Sequence, residues 1–148
     1  MQLRKYEKLW LDRLENPNMR KKREYLGSGK TCCCLGHACM VLELKTNNTD
    51  QSLDDVEFDF QKIRLNTFGQ IIIDKITDKG YELLYEHRFT FHKNDTLEKF
   101  KDYIKAIGGI SLVDMNDGGV VVNPMPHKTI AKFIRENKEA VLWNNSSK

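Results

Sequence analysis

The sequence predicts an α+β fold: a small antiparallel sheet, made of a β-hairpin and a short strand, packed against about four helices. Three observations predict it. Apolar residues recur at helical spacing in several segments, residues 70–76 contain a β-branched run, and glycine or Asn-Asp clusters separate the periodic stretches.

Leu3, Tyr6, Leu9, Trp10 and Leu14 lie among Arg, Lys, Glu and Asp, which predicts an amphipathic helix ending near Asn16-Pro17. Residues 17–31 lose this period and turn basic, with Arg20-Lys21-Lys22-Arg23 followed by Gly27-Ser28-Gly29, and read as a flexible connecting loop. From Cys32 to Leu44 the chain is almost wholly apolar, as in a buried helix that Asn47-Asn48-Thr49-Asp50 closes off. Residues 51–66 are ambiguous: Val56, Phe58 and Phe60 alternate as in a strand, Asp54-Asp55 would suit a helix start, and irregular structure with a short strand is expected.

Gln70 to Ile76, the turn Thr77-Asp78-Lys79-Gly80, and Tyr81 to Phe91 together predict the hairpin. Asp95 to Glu98 has the spacing of a capping box, and Leu97, Phe100, Tyr103, Ile104 and Ile107 form one helical stripe that Gly108-Gly109 ends. A last helix starts near Pro126 and carries Ile130, Phe133 and Ile134. The 148 residues fit one domain, 1–148, with 144–148 as a disordered tail.

Composition narrows the setting. Net charge is only +3, weak grounds for a nucleic-acid partner. No apolar run approaches the roughly 20 residues of a membrane-spanning helix, and the N-terminus lacks a signal-peptide pattern, so a cytoplasmic protein without a membrane partner is expected. Of the four cysteines three are consecutive and the fourth follows five positions later, which excludes a disulfide framework and fits reduced thiols.

Several motifs could carry chemistry. Gly29-Lys30-Thr31 before a helix imitates the end of a P-loop, but Glu24 stands where its first glycine belongs and no apolar strand precedes it. Cys32-Cys33-Cys34-Leu35-Gly36-His37-Ala38-Cys39 lacks a paired Cys-x-x-Cys module, and His87 and His92 would face opposite sides of a strand, so no metal site is expected. No motif asks for a cofactor. Cys33 or Cys34 at a helix start could act as a nucleophile, with His87, His92 or His127 as base and Asn116 as the orienting group. The alternative is that small thiols fill a tight core while Gly36 admits a neighbour closely. Asn116-Asp117-Gly118-Gly119 reads as a turn able to present polar groups. Arg20, Lys21, Lys22, Arg23 and Lys30, near a helix N-terminus, are candidates for a small anionic ligand, joined by Asn116 and Asp117. The same basic residues would attract nucleic acid weakly and without sequence preference.

Four features occur in one order: Trp10, then Cys33-Cys34-Leu35-Gly36-His37-Ala38-Cys39, then Met115-Asn116-Asp117-Gly118-Gly119, then Ile130-Ala131-Lys132-Phe133-Ile134. This order resembles a group of small bacteriophage and prophage proteins with a Cys-Cys-Leu-Gly-x-x-Cys-Asp motif and a late Asn-Asp-x-Gly segment. Met40 replaces the usual Asp, His127 takes an aromatic position, residues 120–126 look inserted, and Cys32 is extra. The resemblance implies phage origin and action inside a host cell, and supplies no activity. The first expectation beside it is an accessory protein that acts by non-catalytic binding of a host factor or a small anionic ligand. Counter-defence or modulation of the host is the expected setting.

Overall fold

The computed structural model describes residues 1–66, 70–72, 89–90, 96–119 and 122–144, with only the backbone described at 70–72. The expected α+β architecture is present, with six helices and two small sheets among the described residues.

Helix α1 (Lys5–Glu15) buries Glu7, Trp10, Leu11 and Leu14, one stripe at i, i+3, i+4 and i+7. Its inner face is turned from the expected one: Leu11 is fully buried, whereas Leu9 is 44% exposed. The helix stops at Asn16, as Asn16-Pro17 requires.

The basic segment is not a plain loop. It holds β1 (Arg20–Lys21), β2 (Gly27–Ser28) and β3 (Thr31–Cys32), ordered β1-β3-β2, with β1 parallel and β2 antiparallel to the central strand. Gly27 pairs with Cys32 and Ser28 with Thr31, leaving a two-residue Gly29-Lys30 connection. Gly29 at φ +65° supplies the positive φ that such a tight hairpin needs at its first position. The glycines thus fix a turn here.

Helix α2 (Cys34–Val41) starts later and ends earlier than the apolar run suggests, because Cys32 completes β3 and Cys33 caps the helix. Residues 51–66 contain a short 3-10 turn, Leu53–Asp55, and no strand at 56–60; Leu65 instead bridges Leu142. Strand β4 (Gln70–Ile72) pairs antiparallel with β5 (Gly109–Ser111). The expected hairpin partner, Tyr81 to Phe91, lies outside the described residues except at 89–90, where Phe89 bridges Val122.

Helix α3 (Leu97–Ala106) buries Leu97, Phe100, Tyr103 and Ile104, and Gly108 at φ +91° ends it. Its N-cap is Thr96; Asp95 lies outside the described residues. Helix α4 (Leu112–Asp117) takes in Asn116 and Asp117, expected as turn residues, and Gly118 at φ +80° stops it. Helix α5 (His127–Glu136) begins after Pro126 as expected, and α6 (Lys138–Val141) follows.

Helix α1 packs against both α2 and α5, with Trp10, Leu11, Phe133 and Ile134 fully or almost fully buried. Arg135 closes that contact at the surface, with Nη2 2.9 Å from Asp12 Oδ1 and 2.5 Å from Glu15 Oε1. The expected tail at 144–148 lies outside the described residues beyond Asn144.

Candidate functional site

The junction of β3 and α2 builds a pocket. Cys33 takes the N-cap position, and its Sγ accepts a hydrogen bond from Gly36 N at 3.2 Å. Its own N–H donates to Leu26 O at 3.0 Å, tying the helix start to the segment before β2. Buried Leu26, Leu35 and Leu53 wall a cavity of about 190 Å³, and exposed Val113 of α4 forms its shoulder. That is slightly more room than a cavity of about 150 Å³ able to hold benzene. The more exposed lining residues include three carboxylates, Glu24, Asp54 and Asp117. Glu24 stands in the left-handed region at φ +76°, unusual for a residue with a side chain.

Behind the pocket Asn116, almost fully buried, joins four segments. Its Oδ1 faces Cys34 N at 2.9 Å and His127 Nε2 at 2.6 Å, and its Nδ2 donates to Lys22 O at 2.9 Å and Asp117 Oδ1 at 2.6 Å. Because Oδ1 accepts from a backbone N–H, His127 must donate from Nε2. His37 is held in the same tautomer: Arg13 Nε donates to its Nδ1 at 2.9 Å, and its Nε2 donates to Arg20 O at 3.0 Å. The two imidazoles meet edge to face at 5.2 Å.

Burial sets the protonation of the whole cluster. It pushes the Cys33 thiol up to about 11 and Cys39 to about 12, and raises Cys34 well above and Cys32 above the ordinary thiol value. Burial also lowers His37 to about 4 and His127 to about 3. An unfolded chain protonates both rings near 6.5, so it binds more protons than the fold as the pH drops below that value. Stability is therefore expected to fall from pH 6.5 towards 4, by about 1.4 kcal/mol per pH unit for each histidine. Denaturant midpoints at neutral pH and at about pH 5 check this; equal midpoints would contradict it.

The structure brings Cys33, Cys34, Asn116 and Asp117 together at the pocket, with His127 one hydrogen bond behind Asn116. None of the basic candidates lines the pocket, although Lys21, Lys22 and Arg23 contact or lie near Cys34, Asn116 and Asp117 behind it. Lys21 Nζ donates to Met125 O at 2.9 Å and Arg23 Nη2 to Asp117 O at 2.8 Å, while Arg20 and Lys30 are exposed and Lys22 is half-buried. Gly29 O accepts from the Arg13 guanidinium, so Gly29-Lys30-Thr31 serves a hairpin where a P-loop would follow an apolar strand. Among the described residues, no group of three His, Cys, Asp or Glu side chains is placed to hold a metal ion; His87 and His92 lie outside them.

No family model, curated protein or solved structure matches the chain. The chemistry of the pocket must speak for itself. Sequence reasoning did not assign the carboxylates Glu24 and Asp54 to a site, since Glu24 stood out only as a departure from a P-loop and Asp54 lies in an irregular stretch. The described residues also include no helix long and apolar enough to cross a membrane.

Proposed function

We propose that the protein acts by binding rather than by catalysis, as a phage-encoded accessory protein that engages a host factor inside the host cell. The ordered Cys-Cys-Leu-Gly and Asn-Asp-x-Gly motifs support the phage setting. One observation carries the binding reading: a partly apolar pocket is present, yet of the two thiols that line it Cys33 accepts from Gly36 N–H and burial holds it at about 11, and burial raises Cys34 well above its ordinary value. A thiol that stays protonated near neutrality is a poor nucleophile and a good packing group. The carboxylates around the pocket favour the host-factor form over the small-anion form, because anions are repelled there.

A second reading keeps Cys33 as the nucleophile of a cysteine-dependent enzyme, favoured by its position at a helix start beside a pocket. Alkylation of the native protein separates the two. With iodoacetamide near neutral pH, all four thiols are expected to react about a hundredfold or more slowly than free cysteine, and at ordinary rates once denatured. One thiol that outpaces free cysteine in the native state would overturn the binding reading in favour of catalysis.

A further inference from the structure

We infer that the pocket beside α2 receives a basic side chain, arginine or lysine, presented by a protein partner; this rests on the binding reading above and names its chemistry. Such a side chain is two things in one, an apolar stem and a cationic head. The pocket has the matching order. Its buried walls are Leu26, Leu35 and Leu53, and its more exposed lining carries Glu24, Asp54 and Asp117. Among the described residues no arginine or lysine lines it, and neither Glu24 nor Asp54 has a hydrogen-bond or ion-pair partner. The Glu24 and Asp54 carboxylates are therefore left for something from outside, whereas Asp117 accepts from Asn116 Nδ2 and has Lys21 within electrostatic reach.

The surroundings point to a macromolecule rather than a free amine. Val113, itself part of the lining, is 44% exposed, and Tyr25, between the lining residues Glu24 and Leu26, is 39% exposed. They are two of only three exposed large hydrophobics among the described residues, and exposed apolar groups around a recessed pocket suit a protein contact. A basic anchor seated in a pocket at the centre of such a contact is a common way to concentrate binding energy.

The test uses the full-length, isotope-labelled chain and capped Gly-x-Gly tripeptides with arginine, lysine, norleucine or glutamate at the centre, followed by NMR. The arginine and lysine probes are expected to shift the amide resonances of Leu26, Leu35 and Leu53, to bind more weakly as salt rises, and to lose about tenfold in affinity in a Glu24→Gln/Asp54→Asn variant. Both substitutions are at exposed positions, so a native spectrum of the variant is expected alongside the loss. If norleucine binds as well as the basic probes, or the double variant binds them unchanged, the basic-side-chain assignment is overturned while a binding pocket stands. If no probe shifts these resonances, both the assignment and the binding role of this pocket fall.

Discussion

Replacing Gly36 with alanine is expected to cost about 3 kcal/mol or more of stability, or to prevent folding. Helix propensity alone gives the opposite sign, since alanine inside a helix is favoured over glycine by about 1 kcal/mol. The neighbours decide the outcome. A Cβ at Gly36 would overlap the Leu26 carbonyl oxygen and lie 2.7 Å from its carbon and 2.9 Å from Cys32 Cβ. Leu26 O cannot simply retreat, because it accepts the Cys33 N–H that holds the start of α2. Chemical denaturation of the variant checks this. A midpoint at or above that of the parent protein would show that the strand and helix can separate at no cost.

The second large effect belongs to Arg64, whose loss in Arg64→Ala is expected to destabilise the fold by about 3–5 kcal/mol. Glu7 is completely buried, and Arg64 is only 5% exposed. Oε2 of Glu7 accepts from Arg64 N at 3.0 Å and Nε at 2.8 Å, and Oε1 from Arg64 Nη2 and Arg4 N, each at 2.7 Å. Burial by itself raises the Glu7 carboxyl, but these hydrogen bonds and the guanidinium charge outweigh it and hold the group below its ordinary value. Without Arg64 the burial cost stands largely unopposed, so the carboxyl of the variant rises.

The sign with pH follows. In the parent protein the lowered carboxyl contributes stability above the unfolded value, and that contribution fades as pH falls through the carboxylate range. In the variant, protonation relieves a buried charge instead. The gap between parent and variant is therefore expected to narrow in acid, and urea denaturation over that range measures it. A gap that is constant with pH would mean that lost packing, and not the stranded charge, is the cause. The paired substitution Glu7→Leu/Arg64→Met should recover much of the loss, since it removes both charges together.

These two positions also show what could be read in the sequence. Helices α1, α3 and α5 were visible because their apolar residues repeat at helical spacing, and the stops at Asn16 and Gly108 because backbone chemistry is local. Helix α4 was not, because Asn116-Asp117-Gly118-Gly119 has the composition of a plain turn. The close approach at Gly36 was legible for the same reason: a glycine inside an apolar helix suggests that something lies against it. Glu7, by contrast, looks like any surface charge of an amphipathic helix, because its partner is 57 residues away. Strands β1 to β3 are two residues each, too short to show an alternation, and β4 meets β5 across a long stretch of chain. The pocket was half legible. Cys33, Cys34, Asn116 and Asp117 stood out by composition, whereas Glu24 and Asp54 reach the pocket only through tertiary placement.

The clasp between Arg135 and Glu15 spans 120 positions, and that separation has a consequence for how the chain is made. Ribosomes add about 5–20 residues per second, so α1 emerges about 6–24 seconds before the residues of α5 that will cover it. During that interval α2 can shelter Trp10, whose indole N–H reaches Cys34 O at 2.8 Å only 24 positions on. The side of α1 that will face α5 stays uncovered for nearly the whole of synthesis. Nascent chains stalled before α5 should therefore offer that face to chaperones, and release from them should await the last helices.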